Sequence, residues 1–286
     1  MISDITLGQF FPGKSPIHRL DPRTKILLAT IFIISVFVAN NPVAFLIVFI
    51  TSIVLVAISR ISFKVVLKSI KPILIILLFT ALLNIFMTKG EGEPLVHFGF
   101  IQIYTEGIVR AVMMALRVVL LIVGTSILLT YTTSPISLTD GLEALLSPLK
   151  RIKVPVHTFA MMMSIALRFI PTLIEETEKI MNAQKSRGAD FTSGTLLQRA
   201  KALIPLLVPL FVSSFKRAEE LATAMECRCY RGDKNRTKLV KLEYKANDYL
   251  YLTVLTLFMG VIICLAILPY KLNFSSAIFD ILFYKV

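Results

Sequence analysis

The sequence is poor in charged residues and in residues that commonly carry chemistry. Charged residues make up only 17% of its 286 positions, whereas soluble domains have about 25%. Three cysteines are too few for a disulfide framework. The pair Cys227 and Cys229 has no nearby histidine to complete the roughly four ligands of a zinc site, so we expect no metal. The three histidines lie far apart along the chain and form no catalytic grouping: His18, His97 and His157.

Two further absences limit the possible functions. The nucleotide-binding string G-x-x-x-x-G-K-[ST] does not occur in the chain. We therefore expect the chain to hold no nucleotide and no cofactor of its own. Residues 1–21 are polar and lack the apolar core of a cleaved signal peptide, so the first apolar run is expected to stay in the mature protein.

Apolar residues are in large excess. They make up 56% of the chain and raise the mean hydropathy to +0.76, which is typical of a polytopic membrane protein. Asp21 and Pro22 indicate a helix start, because aspartate caps free N–H groups and proline fits the first helical position. We predict an all-α membrane protein with about five transmembrane helices, in the apolar runs at 26–39, 43–58, 72–87, 107–131 and 249–268.

The positive charge is distributed in clusters between the apolar runs. The net charge is +13, but this clustering is what the positive-inside rule requires of a membrane protein, and it argues against nucleic acid as a partner. The rule places the N-terminus, the cluster from Arg60 to Lys71 and segment 132–248 in the cytoplasm. The loop at 89–106, which carries Glu91 and Glu93 and a predicted hairpin at 95–104, then lies outside.

These signals predict a multi-pass protein of the cell membrane, in contact with the lipid bilayer, with three parts. Residues 1–131 form an N-terminal membrane domain of four spans, 132–248 a cytoplasmic domain of long helices, and 249–286 a last span with a tail. Within the cytoplasmic domain a short helix is predicted at 137–149. Two long helices follow, from Pro155 to about Gly188 and from 196 to about 230, and Gly188 supplies a left-handed helix stop. Each is roughly 45 Å long at 1.5 Å per residue.

Each long helix ends in an arginine between small residues: Ser186-Arg187-Gly188 and Cys227-Arg228-Cys229. A guanidinium offers five donors in a planar fork and can bind a carboxylate or several carbonyls. A glutamate lies nine residues before each arginine and an alanine four residues before it, which resembles a weak internal repeat. We predict that these six residues dock onto partner proteins. The alternative is a pair of solvated arginines that only favour the helix dipole.

An apolar patch lies on the first long helix. It consists of Met161, Met162 and Met163 together with Phe159 and Phe169. Methionine adapts to irregular partners, so the patch is a candidate contact surface. Ordinary core packing is the alternative.

The N-terminal residues resemble those of a known family. Gly8-Gln9-Phe10, Pro12, Ser15 and the string from His18 to Lys25, HRLDPRTK, are similar to the N-terminal signature of the transmembrane T component of energy-coupling factor transporters. The two x-Arg-x motifs match that family's coupling-helix ends in type and placement, and the resemblance covers nearly the whole chain. The family's motif is commonly Ala-Arg-Gly, and the cysteines on both sides of Arg228 depart from it.

The resemblance implies a non-catalytic coupling subunit of an ABC-type importer for a vitamin or a metal ion. Such a subunit joins two cytoplasmic ABC ATPases (A and A'), which bind the ATP, to a membrane-embedded, substrate-binding S component. Arg187 and Arg228 would each dock into a groove on one ATPase. The long coupling helices would convert closure of the ATPases into movement of the S component. The adaptable side chains of the patch formed by Met161, Met162, Met163, Phe159 and Phe169 make it a candidate contact for that component, although core packing is the slightly favoured interpretation.

Two other classes of function compete with this one. A membrane-embedded enzyme needs paired carboxylates or a histidine cluster at membrane depth, and none is evident in the sequence. A stand-alone channel or secondary transporter needs internal membrane repeats and polar residues at the midplane, for which Arg117 is a slender basis. A charged residue at that depth faces protein or water, so Arg117 either pairs structurally or makes a functional contact.

Overall fold

The fold is helical and divides into two units. The computed structural model describes residues 10–39, 42–88, 96–98, 101–189, 191, 195–230, 232 and 242–267. The first unit comprises Phe10–Ser134 and Leu242–Val286, and the second comprises Met1–Gln9 and Pro135–Lys241. The prediction of an all-α fold is confirmed, with one short β-hairpin added to the helices.

The helices of the first unit follow the chain in order. They are α1 (Pro22–Val38), α2 (Pro42–Ser59), α3 (Phe63–Ile70), α4 (Leu74–Met87) and α5 (Thr105–Thr125). A 3-10 turn at Lys71–Ile73 joins α3 to α4, and a π-helical segment at Ser126–Tyr131 extends α5. Between α4 and α5, strands β1 (Val96–Phe98) and β2 (Ile101–Ile103) pair antiparallel, which confirms the predicted hairpin.

The second unit contains the long helices. Helix α6 (Pro135–Leu146) continues into a 3-10 segment at Ser147–Ile152 and is followed by α7 (Val156–Ser186) and α8 (Leu196–Cys227). The chain then returns to the first unit in α9 (Ala246–Ile267). Some predicted features lie outside the described residues, namely Gly8 and Gln9 of the family-like string, Glu91 and Glu93 of the outer loop, and the tail beyond residue 267.

Helix α1 begins at the predicted residue and is fixed there by buried polar contacts. The Asp21 side chain accepts the N–H of Arg23 at 2.9 Å, as an N-cap. The Asp21 N–H donates to Asp248 Oδ1 at 2.9 Å. Lys25 Nζ donates to the carbonyl of Thr132, just beyond the π-helical segment, at 2.6 Å. Because Asp21, Lys25 and Asp248 are all buried, these bonds join the start of α1 to the start of α9 and to the end of the π-helical segment.

A glycine lets α1 and α5 approach closely in the apolar core of the first unit. Phe32 of α1 is fully buried, and a Cβ placed on Gly124 of α5 would lie 2.1 Å from Phe32 Cε1. Any other residue at position 124 would therefore clash with the Phe32 ring, so that either the ring or the helices must shift. Around this contact the core is built from apolar side chains of α1, α2, α5, the π-helical segment and α9, including Val36, Val48, Leu120, Ile127 and Ile262.

Five described helical segments are long and apolar enough to cross a membrane: Phe63–Met87, Gly107–Tyr131, Val156–Ser186, Leu197–Cys227 and Ala246–Ile267. The prediction of a multi-pass membrane protein is confirmed. The set differs in part from the predicted spans. The runs at 26–39 and 43–58 lie in α1 and α2, which have only 17 and 18 residues. Helices α7 and α8 join the set because their N-terminal halves are apolar.

Arg117 of α5 has a structural partner. Its Nη2 donates to the carbonyl of Ala39, at the end of α1, at 2.8 Å. The last carbonyls of a helix have no partner within that helix, so the guanidinium closes the end of α1. Its carbon also lies 6.0 Å from the centre of the Phe45 ring. Of the two roles left open for Arg117, the structure supports the pairing.

Candidate docking site at two helix ends

Arg187 and Arg228 occupy the same position in the same kind of helix end. Each directly follows the last helical residue, and their φ/ψ angles are −88°/7° and −88°/15°. The next residue is left-handed in both cases, with φ 87° at Gly188 and φ 57° at Cys229. The chain therefore turns away immediately after each arginine, which leaves the arginine at the tip of its helix.

At the end of α7 two backbone hydrogen bonds close the helix. The N–H of Gly188 donates to the carbonyl of Lys185 at 2.9 Å, and the N–H of Ala189 donates to the carbonyl of Gln184 at 3.0 Å. This pair of bonds defines a Schellman motif with a left-handed residue. The predicted helix stop at Gly188 is confirmed.

The end of α8 repeats this pattern with a cysteine in place of glycine. The N–H of Cys229 donates to the carbonyl of Glu226 at 2.8 Å, and the N–H of Tyr230 donates to the carbonyl of Met225 at 3.0 Å. Helix α8 therefore ends at Cys227, a few residues before the predicted end near 230. The usual glycine signal is missing here, and only alignment of the two x-Arg-x motifs would have placed the left-handed residue at Cys229.

The predicted docking residues are accessible. All six are exposed: Ser186, Arg187, Gly188, Cys227, Arg228 and Cys229. Neither arginine side chain forms a hydrogen bond or ion pair with another residue in the part of the chain that the structure describes. Both guanidinium groups thus present all their donors to the surroundings of the second unit.

A polar brace joins α7 to α8. Arg217 Nη2 lies 2.7 Å from Glu176 Oε2, and the Ser213 hydroxyl donates to Oε1 of the same carboxylate. Beside the brace is an apolar groove of about 270 Å³, lined by α7 residues that precede Glu176 and by α8 residues that follow Ser213, among them Ile165, Phe169, Leu173, Ala218, Leu221 and Met225. Because earlier residues of α7 face later residues of α8, the helices run antiparallel at this point.

The brace lies at the same distance from both tips. Arg187 follows Glu176 by eleven residues, and Arg228 follows Arg217 by eleven residues. At 1.5 Å per residue each helical arm extends roughly 16 Å beyond the brace. Since the helices are antiparallel there, the two tips lie at opposite ends of the α7–α8 pair.

The predicted apolar patch on α7 is divided between two surroundings. Phe159, Met162 and Met163 are 56%, 49% and 53% exposed and share one helix face by their i, i+3, i+4 spacing. Phe169 lines the groove shared with α8, and Met161 is half-buried. Core packing thus accounts for Phe169, whereas the other face remains available for an apolar contact.

The other residues of chemical interest are one histidine of the second unit and three cysteines, of which Cys264 lies in α9 of the first unit. His157 Nδ1 of α7 lies 2.7 Å from Glu143 Oε1 of α6. The thiols of Cys227, Cys229 and Cys264 are free and exposed. Within the described ranges no group of three or more His, Cys, Asp or Glu side chains is arranged to hold a metal ion.

Taken together, the fold and the site define a class: a polytopic helical membrane protein that presents two matched cationic helix ends. A family model described as CbiQ, cobalt transport protein, matches residues 13–239. The chain belongs to this family.

Three relatives of known type indicate which kind of transport protein this is. Each of these relatives is an energy-coupling factor transporter transmembrane protein EcfT. The protein of Clostridium kluyveri is 52% identical over 268 residues, covering 94% of this chain and 97% of the relative. That of Ruminiclostridium cellulolyticum is 54% identical over 259 residues, covering 91% and 96%. That of Bacillus subtilis is 52% identical over 248 residues, covering 87% and 93%. The resemblance is confirmed, and the chain is a transmembrane component of an energy-coupling factor transporter.

Proposed function

We propose that this chain is the coupling subunit of its transporter. It links two cytoplasmic ABC ATPases to a membrane-embedded, substrate-binding S component and transmits ATP-driven motion for the uptake of a vitamin or a metal ion. The subunit itself is not an enzyme, and the ATPases bind and hydrolyse the ATP. The observation that carries the proposal is the presence of two exposed arginines at the same position of the same capping motif.

The geometry of each tip suits insertion into a groove. A guanidinium at the end of a helix can form several charge-assisted bonds at once. The left-handed residue after Arg187 or Arg228 removes the following chain from the tip, and the small neighbours leave room for a partner's backbone. Two equivalent tips at opposite ends of one helix pair would each engage one ATPase.

The α7–α8 pair also offers a route for transmitting motion. Both helices are continuous over 31 and 32 residues, so a displacement at a tip is carried along the helix. The contact between Glu176 and Arg217 holds the two helices together at a point between the two tips. Approach of the two ATPases would therefore change the geometry of the pair. The exposed face with Phe159, Met162 and Met163 is the surface we assign to the S component.

Docking requires both tips to lie on the cytoplasmic side. The distribution of positive charge supports this orientation, with the N-terminus and the tips in the cytoplasm. The C-terminal arms of α7 and α8, from Glu175 and from Lys216 onward, carry ten of the thirteen charged residues (Asp, Glu, Lys and Arg) of these two helices. They are therefore the parts suited to an aqueous partner.

The test is co-purification of the ATPases with the full-length chain from membranes. Arg187→Glu combined with Arg228→Glu is expected to abolish co-purification, because each reversed charge would repel the acceptor groups that bind a guanidinium. Each single variant is expected to retain one of the two ATPases, since the tips act separately. ATPase-to-subunit stoichiometry, measured by mass spectrometry, distinguishes these results.

A matched control reverses two charges on the same helices away from the tips. Lys179→Glu with Lys201→Glu makes the same change in net charge at exposed positions and is expected to leave the stoichiometry unchanged. Undiminished co-purification by the arginine variant, with normal membrane insertion, would rule out the docking role.

A further inference from the structure

A cavity of about 430 Å³ lies in the first unit between the segment at 11–18 and the turn that joins α2 to α3. Its size is within the usual range for small-molecule sites. Its polar lining comprises two basic residues, one histidine and three serines: Lys14, Arg60, His18, Ser15, Ser59 and Ser62. None of the described residues that line it is acidic, so the cavity favours an anion.

One side of the cavity is built by a closed loop. His18 Nε2 donates to the carbonyl of Phe11 at 2.9 Å, and the Ser15 hydroxyl lies 2.6 Å from His18 Nδ1. The N–H of Phe11 donates to the carbonyl of Tyr131 at 3.0 Å. A Cβ on Gly13 would lie 2.8 Å from the imidazole, so the loop closes tightly over the ring. The wall is thus preformed, and both nitrogens of the histidine are used in holding it.

The two cations of the cavity, by contrast, have no partner. Lys14 and Arg60 are exposed, and neither forms a hydrogen bond or ion pair through its side chain with another described residue. The Ser62 side chain makes no capping bond to α3. Two positive charges and one hydroxyl group are therefore available to a ligand.

The backbone of Arg60 supports a role for its side chain. Arg60 follows the end of α2 with φ 56°, a left-handed conformation that is uncommon for residues other than glycine. Glycine would adopt this turn with less strain, yet an arginine is present. Residues held in such conformations occur preferentially at ligand-binding sites.

The surroundings of the cavity resemble a membrane interface. After Arg60, three exposed lysines of the α3–α4 region follow at helical spacing: Lys64, Lys68 and Lys71. The apolar side chains of Phe63 and Leu67 are 66% and 51% exposed beside them. A basic cluster next to an apolar span attracts anionic lipids, and basic pockets on the cytoplasmic side of membrane helices bind their headgroups.

We propose that this cavity binds the phosphate of an anionic phospholipid. Lys14 and Arg60 supply the positive charge, the Ser62 hydroxyl supplies a neutral donor, and the apolar side chains around α3 contact the acyl chains. The site does not depend on docking of the ATPases, and it gives the first unit a preference for the composition of the surrounding membrane.

The test measures binding of phosphatidylglycerol and phosphatidylcholine to the purified full-length protein in detergent, by native mass spectrometry. We expect phosphatidylglycerol to bind more tightly than phosphatidylcholine. Lys14→Gln combined with Arg60→Asn, where asparagine tolerates the left-handed backbone, is expected to weaken phosphatidylglycerol binding about 30-fold. This follows from about 1 kcal/mol for each cation near an anionic surface at 1.4 kcal/mol per tenfold change.

The control variant Arg19→Gln with Lys150→Gln removes the same charge at exposed positions outside the cavity and is expected to bind within twofold of the unaltered protein. An equal loss in the control, or near-normal binding by the cavity variant, would overturn the proposal. Displacement of the lipid by millimolar glycerol 3-phosphate would also overturn it, in favour of a soluble phosphate ester. If the double variant does not fold, Lys14→Gln alone should weaken binding about fivefold, which corresponds to about 1 kcal/mol for one cation. Unchanged binding by Lys14→Gln would then refute the site.

Discussion

The backbone N–H of Asp21 donates to Oδ1 of Asp248 at 2.9 Å, although the two residues are 227 positions apart in the sequence. Both are buried, with 7% and 1% of their surface exposed. The second carboxylate oxygen of Asp248 accepts the N–H of Lys245 at 2.8 Å. One carboxylate thus satisfies the ends of two helices, α1 and α9, and closes the first unit.

Loss of this carboxylate should destabilise the protein. Asp248→Ala leaves two N–H groups without an acceptor and removes an anion from the neighbourhood of buried Lys25. A hydrogen bond to a charged group contributes about 1.5–3 kcal/mol, so we expect a loss of at least about 3 kcal/mol in the free energy of unfolding. Thermal unfolding in detergent measures this loss of stability. The exposed Glu243→Ala, in the segment before α9, should change it by less than about 0.5 kcal/mol, and equal stability of the two variants would refute the role of Asp248.

The close contact at Gly124 between α1 and α5 predicts that a larger residue at this position destabilises the protein. Gly124→Ala should destabilise by about 1–3 kcal/mol through overpacking, because the added Cβ would meet the Phe32 ring. Combining it with Phe32→Leu should recover part of this loss. Gly260→Ala is the matched control, since nothing lies within 4 Å of a Cβ at that position. A Gly124→Ala variant as stable as this control would refute the close contact between Gly124 and Phe32.

The left-handed residue at the end of α8 predicts that glycine at this position would stabilise the helix end. Cys229→Gly should stabilise the last turn by about 1 kcal/mol, because the left-handed conformation costs an L-amino acid roughly 1–2 kcal/mol, whereas glycine adopts it freely. Hydrogen exchange of the last-turn amides should slow accordingly. Cys229→Ala, which removes the thiol but keeps the Cβ, should show no gain, and Gly188→Ala should show a loss at the end of α7. A gain with Cys229→Ala would instead attribute the effect to the thiol.

The brace between α7 and α8 predicts that weakening it reduces transport but leaves ATPase docking unchanged. Glu176→Gln should reduce transport by the reconstituted complex while ATPase co-purification is retained, because the tips are unchanged and only the contact with Arg217 and Ser213 is weakened. Glu175→Gln, at the exposed neighbouring position, serves as the control. A double-mutant cycle with Arg217→Met should give a coupling energy of about 0.5–1 kcal/mol for this partly exposed pair. Transport by Glu176→Gln at the control rate would contradict the proposed transmission route.

Much of the local structure was predictable because its causes lie within a few residues. The start of α1 at Asp21 and Pro22 and the end of α7 at Gly188 depend on capping groups next to the helix ends. The end of α8 was placed less well, because a cysteine adopts the left-handed conformation there. The set of membrane-spanning helices was also predicted only in part, since α1 and α2 are short and the long helices of the second unit are apolar in their first halves.

The sequence by itself determined that this is a helical, multi-pass membrane component of an energy-coupling factor transporter, and it identified the two arginine motifs. Hydropathy, capping and motif spacing are properties of contiguous residues, so a linear reading detects them. Only the tertiary structure decided that Asp248 holds the start of α1, that Arg117 closes its end, and that Glu176 meets Arg217. Those partners are far apart in the chain, and which of them meet depends on which helix faces pack together.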